Sequence, residues 1–119
     1  MKSLVLIQRM LKATQDYLDT TELPSQDLFL FAIVAERGEV PQSELGDLIG
    51  LSQPSISRIC SRLGRGVPGL GKRAEVRGMN LVETHEDPFF RKRKIVKLTA
   101  RGAEFAHLLE KSIAHILRK

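Results

Sequence analysis

The chain contains no tryptophan, one tyrosine and a single cysteine, Cys60. One cysteine forbids an intrachain disulfide and any CxxC or four-cysteine metal site, and such sparing use favours a reducing compartment. Aromatic residues make up only 5%, so little of the chain looks like a pocket lined with aromatic rings. No run on the order of 18 apolar residues occurs, and no transmembrane helix is expected. The start, MKSLVLIQRML, turns apolar after one cation, but Gln8 and Arg9 end the run before it reaches the length of a signal-peptide core. The expectation is a soluble cytoplasmic protein with no membrane partner. Catalytic signatures are missing as well: there is no nucleophile elbow, phosphate-binding loop or HExxH. Ser52, Ser55, Ser57 and Ser61 have no histidine close in sequence. Glu75, Glu83, Glu86 and Asp87 fall in no two-metal pattern. The chain therefore reads as a non-enzyme that needs no cofactor and no metal.

What is present is a chain of 119 residues, 42% hydrophobic, long enough for one domain with a modest core. Its net charge of +5 is unevenly spread. Residues 52–101 hold twelve basic and four acidic side chains, a local charge of +8, against seven and ten elsewhere, a charge of −3. A concentrated basic stretch on a mildly acidic body suits a surface that meets phosphate.

Periodicity sets out the elements. Residues 2–19 predict a helix, with Leu4, Ile7, Leu11 and Leu18 at helical spacing and Val5, Leu6, Met10 and Tyr17 widening the stripe. That face is broad for one neighbour and suits a second chain. Pro24 opens a helix reaching about Arg37, made central by Leu28, Phe29, Phe31, Ala32, Ile33 and Ala35 and stopped by Gly38. Residues 41–49 form a short helix ended by Gly50. Ser52 caps the next one and Pro54 sits in its first turn. Ile56, Ile59, Cys60 and Leu63, at i, i+3, i+4, i+7, face the core. This leaves Gln53, Ser55, Ser57, Arg58, Ser61 and Arg62 on the other faces. Residues 64–80, rich in glycine and cations, read as a loop with a helical turn around 72–77. Residues 81–84 and 94–98 read as strands of a hairpin, and residues 99–118 as a last helix capped by Thr99, with Phe105, Ala106, Leu108, Leu109, Ile113, Ile116 and Leu117 on its apolar face.

Residues 42–59 fit a helix-turn-helix. A small residue is needed where two short helices cross, and Gly46 is there. The turn favours a residue tolerant of positive φ, and Gly50 follows four positions on. Leu45, Ile49, Leu51, Ile56 and Ile59 lock the pair. The second helix then offers its N-terminal part to a DNA major groove, where hydroxyls, glutamine and arginine bond base edges and phosphates. A hairpin after this motif makes a winged helix. Its tip carries Arg91, Lys92, Arg93 and Lys94, four cations that repel one another unless phosphates neutralise them. Phe89 and Phe90 are expected to pack under the wing. Cys60, on an apolar helix face, reads as a buried structural thiol. His85 and its acidic neighbours alternate along a strand and converge on no metal. His107, at ligand spacing from Glu104 and Glu110, reads as an exposed polar position.

LPSQDLFLFAIVAERGEVPQSELGDLIGLSQPSISRICSRL, followed by LVETHEDPFFRKRKIVKLTARG, resembles the MarR family of winged-helix transcription regulators, some phage-encoded relatives included. The resemblance covers residues 23–102. It implies a mainly α fold with a small β-hairpin wing, an α+β winged helix-turn-helix, between two dimerisation helices: 1–22, 23–98 and 99–119. It implies a recognition helix at 52–63, with Gln42, Ser52, Gln53, Ser55, Ser57, Arg58 and Arg62 at double-stranded DNA. Arg91 is implied as the wing arginine, with Lys92, Arg93 and Lys94 on the backbone or minor groove beside it. It further implies a homodimer through residues 2–19 and 99–118, on the nucleoid, repressing promoters at palindromic sites. The chain departs from the pattern at Phe90, where the family carries an aspartate that braces a wing arginine, and in the length of segment 64–80. That segment, with Lys72, Arg73 and Arg77, suits added DNA contact or a protein partner. A partner-inhibiting module and an origin-binding replication or partition protein are the alternative readings.

Overall fold

The computed structural model describes residues 1–20, 22–67, 76–90 and 92–118; at 67, 76 and 77 only the backbone enters the description. Lys72, Arg73 and Arg91, and the tip of the 64–80 segment, lie outside it. In chain order the elements are helices α1 (Lys2–Leu18) and α2 (Ser25–Arg37), strand β1 (Glu39–Pro41), helices α3 (Gln42–Ile49) and α4 (Gln53–Leu63), strands β2 (Gly66–Val67), β3 (Val76–Arg77), β4 (Val82–Glu86) and β5 (Lys94–Leu98), and helix α5 (Ala100–Leu117).

Local chemistry sets several helix ends. Ser52 caps α4, its hydroxyl accepting from the Ser55 N–H at 3.4 Å. Thr99 caps α5 by accepting from the Gly102 N–H at 3.0 Å, and donates its own proton to the Asn80 carbonyl at 2.7 Å. These bonds satisfy donors that the first turn of a helix leaves free. Gly38 ends α2 at φ 86° and Gly50 ends α3 at φ 82°, a conformation that a Cβ penalises.

α2 is the central helix, touching α3, α4, α5, β1 and β5. Its Leu30, Phe31 and Val34 meet Leu45, Ile56, Ile59 and Leu63 of the helix pair, Val40, Val82 and Val96 of the strands, and Phe105 of α5. The centre of α2 is narrower than the sequence implied: Phe29 and Ala32 turn outward beside α1, and Phe29 is half exposed. α1 packs along α5, where Tyr17 stacks on Phe105 with centroids 5.1 Å apart and Arg101 lies over the Tyr17 ring.

The strands differ from the sequence reading. The wing is a three-stranded antiparallel sheet in the order β1-β5-β4, not a hairpin alone. β1 pairs Val40 with Val96 across the chain, and Pro41 therefore belongs to a strand rather than to α3. β4 extends to Glu86, so His85 and Glu86 are strand residues paired with Ile95 and Lys94. Residues 76–77, expected in a helical turn, instead pair antiparallel with residues 66–67. The feet of the 64–80 segment are clamped to the end of α4: the Met79 N–H donates to the Arg62 carbonyl at 2.9 Å, and the Leu81 N–H to the Leu63 carbonyl at 2.7 Å. Backbone groups left free at the end of α4 thereby find partners, which an unstructured loop would not supply.

Candidate nucleic-acid interface

The helix pair is set by one close crossing. A Cβ on Gly46 would lie 3.0 Å from the Leu51 carbonyl oxygen and 2.5 Å from Gln53 Nε2. Both the Gly50 and Leu51 N–H groups donate to the Gly46 carbonyl, at 2.8 and 3.1 Å. α4 leaves this turn with Ile56, Ile59, Cys60 and Leu63 buried and Gln53, Pro54, Ser57 and Arg58 exposed.

That exposed face and the wing form one surface. Gln42, Ser43 and Gln53 line a groove with Phe90, Lys92, Arg93 and Lys94. Next to it a polar groove of about 440 Å³ runs between α4 and the sheet, lined by Ser57, Ser61, Thr84, His85, Lys94 and Gln42, among others. Of the residues singled out by sequence, Gln42, Gln53, Ser57, Lys92, Arg93 and Lys94 share these two grooves. Arg58 is exposed on the neighbouring side of α4, with Nη2 donating to Ser55 Oγ at 3.4 Å. Ser52 and Ser55 are engaged with each other at the helix cap, Oγ to Oγ 3.0 Å.

Arg62, also singled out by sequence, has a partner within the fold. Its guanidinium forks onto Asp27 of α2, Nε to Oδ2 at 3.0 Å and Nη2 to Oδ1 at 2.8 Å. The Asp27 side chain has no exposed surface. A buried carboxylate without a partner is very costly, so it holds Arg62 as a strut between α2 and α4, and the bond raises the guanidinium's already high pKa. The sequence did carry a signal for this strut. Asp27, Leu30, Phe31 and Val34 recur at i, i+3, i+4 and i+7, which places the aspartate on the buried stripe of α2.

The wing turn has its own brace, although Phe90 replaces the expected aspartate. Asp87 is that brace: its Oδ1 accepts from the Phe89 N–H at 2.9 Å, and its Oδ2 lies 3.7 Å from Arg93 Nε. The Asp87 N–H also donates to the Arg93 carbonyl at 2.7 Å. The two phenylalanines do not pack under the wing, contrary to expectation. Phe89 is 87% and Phe90 63% exposed, because the short turn holds both outside the sheet.

On the sheet, Glu83 is flanked by His85 Nε2 at 3.2 Å and Lys97 Nζ at 3.6 Å. The His85 hydrogen bond, helped by Lys97, keeps the Glu83 carboxyl below the usual carboxylate range. Burial pushes the Cys60 thiol up to about 11, so it stays protonated at neutral pH and is a poor nucleophile. Among the described residues no group of three His, Cys, Asp or Glu side chains could hold a metal ion.

No protein-family model and no curated protein matches the sequence. Solved structures do match the fold. The chain is similar to RV1404 from Mycobacterium tuberculosis at 17% identity and a TM-score of 0.73, over 98% of this chain and 73% of that one. It is similar to a mutant MarR from E. coli, solved in complex with operator DNA, at 16% identity and a TM-score of 0.61, over 96% and 72%. The PcaV transcriptional regulator of Streptomyces coelicolor, in complex with its natural ligand, aligns at 22% identity and 0.60, over 95% and 73%. The fold is thus a MarR-like winged helix-turn-helix, α+β in class, along nearly the whole chain.

Proposed function

We propose that this protein is a sequence-specific, double-stranded DNA-binding transcription regulator, not an enzyme, that acts as a homodimeric repressor on the cytoplasmic nucleoid. One observation carries the reading: the exposed polar face of α4 and the cationic wing lie side by side on one surface. Gln53, Ser57 and Arg58 are assigned to base edges and nearby phosphates in the major groove, and Gln42, Ser52 and Ser55 to the backbone at its rim. Lys92, Arg93 and Lys94, with Arg91 from the sequence, are assigned to the backbone and minor groove on the wing side. The fold neighbour solved with operator DNA supports this assignment.

The dimer is assigned to α1 and α5. Leu4, Ile7 and Leu11 follow helical spacing on α1, and each is about half exposed; Leu108 and Leu117 add to the apolar surface on α5. A row of this kind on a polar protein marks an interface. Two recognition helices related by a two-fold axis read a palindrome whose half-sites lie about one helical turn apart.

Selection of bound duplexes from a random pool at near-physiological salt tests the reading. The expected result is a palindrome with that spacing. Recovery of no motif, with binding that fades steeply as salt rises, would reduce the surface to a non-specific phosphate binder.

A further inference from the structure

The tip of the wing holds two adjacent phenylalanines in water, Phe89 at 87% and Phe90 at 63% exposure. Single exposed apolar residues are ordinary. Two together at the apex of a hairpin whose next four residues are cations mark a contact surface. Hydrogen bonds join the described residues of the turn beneath them. The Phe89 N–H donates to Asp87 Oδ1 at 2.9 Å, the Phe90 N–H to the Asp87 carbonyl at 3.3 Å and the Arg93 N–H to the Phe90 carbonyl at 2.8 Å. Phe90 borders the groove shared with Gln42 and Gln53, and Phe89 borders a hollow shared with Pro41 and Ile95.

We propose that Phe89 and Phe90 form an aromatic wedge that enters the minor groove of duplex DNA, partly unstacks one base-pair step and bends the duplex. The inference rests on the DNA-binding reading above. With the wing cations on phosphates, the base stack is the part of the duplex into which an aromatic ring can insert. Apolar side chains pushed between base pairs kink DNA by tens of degrees, and the bend brings more backbone onto the protein. The opening is easiest at pyrimidine–purine steps such as TA. A basic, aromatic tip is also chemistry for an anionic lipid surface. The wing cations, however, are continuous with the exposed polar face of α4 on one surface, which suits the grooved backbone of a duplex rather than a flat bilayer.

The experiment uses the full chain and an A·T-rich duplex with central TA steps, labelled with a donor and an acceptor dye at its two ends, at low salt where phosphate contacts alone give binding. Anionic phospholipid vesicles are titrated in parallel. Wild type is expected to raise energy transfer on binding. The double variant Phe89→Ala with Phe90→Ala is expected to bind with an unchanged salt slope, since no charge is removed, and to lose that rise. Phe89→Leu with Phe90→Leu, still apolar wedges, is expected to keep most of it. Both positions are exposed, so folding is not at stake, and an unchanged circular-dichroism melt checks this. If wild type binds without bending, or the alanine variant bends DNA as wild type does, the wedge is overturned while the DNA reading stands. If the alanine changes abolish vesicle binding and leave the bend untouched, the rings serve a membrane instead. If wild type fails to bind the duplex at any salt, the DNA reading falls and the wedge with it.

Discussion

Asp27 has no exposed surface, and both of its carboxylate oxygens accept from the guanidinium of Arg62, whose own side chain is 38% exposed. Arg62→Ala strands the carboxylate in the core. Breaking a fully buried pair costs about 3–5 kcal/mol, and with one partner open to water about 2–3 kcal/mol is expected. Ser57→Ala, at an exposed hydroxyl, should leave stability within about 0.5 kcal/mol of wild type. Urea unfolding of the two variants separates a strut from a reading residue; equal stabilities would return Arg62 to the DNA surface. Cys60 gives a pH prediction. Burial raises its folded pKa from 9.0 to about 11, so the folded state holds the thiol proton more tightly than the unfolded chain. Its contribution to stability is complete below pH 9 and disappears as pH rises toward 11. Iodoacetamide at pH 8 should therefore label the folded protein slowly and the urea-unfolded protein quickly, and rapid labelling of the native state would contradict a buried thiol.

At the level of elements, the helix-turn-helix was legible in the sequence because every constraint in it is local. Gly46, Gly50, Ser52 and Pro54 sit within nine consecutive residues and act on a single turn. The sheet was only half legible. β4 and β5 announce themselves by alternation, but β1 has just three residues, and its pairing of Val40 with Val96 joins positions 56 residues apart. The feet of the 64–80 segment were misread for a related reason. Residues 66–67 and 76–77 are too short for any period to register, and their pairing is secured by backbone bonds to the end of α4. The wing carries the element-scale prediction. Lys92 and Lys94 are exposed and paired with no carboxylate among the described residues. If each neutralises one phosphate, replacing both by alanine should flatten the slope of log K against log salt by about 1.8, at ~0.9 per contact. An unchanged slope would take the wing off the backbone.

At the scale of the molecule, the apolar surface is concentrated on α1. Leu4 and Ile7 are each 52% exposed and Leu11 45%. In isolation these residues leave about half of their apolar surface in water. Covered by a second copy, each would remove a further part of a leucine-sized surface from solvent, worth about 1 kcal/mol or more per residue. Ile7→Glu with Leu11→Glu should shift the protein from dimer to monomer in analytical ultracentrifugation with little change in monomer stability. The monomer should also bind a palindromic duplex much more weakly than a dimer joined across both half-sites. A variant that stays dimeric would move the interface away from this face.

The sequence by itself determined the helices, their caps, the helix-turn-helix and the basic stretch, because each is written in residues a few positions apart and enforced by backbone sterics, capping bonds and helical periodicity. Tertiary structure alone decided which cations remain free. Arg58 and Arg62 look alike on a helical wheel, yet a carboxylate 35 residues away engages the guanidinium of Arg62. It also decided that Asp87 braces the wing from the opposite side of the turn, and that Phe89 and Phe90 stand in water. The reason is physical: charge and apolar surface are settled by what packs against them in space, and neither the depth of Asp27 nor the shape of the wing turn is carried by nearest-neighbour chemistry.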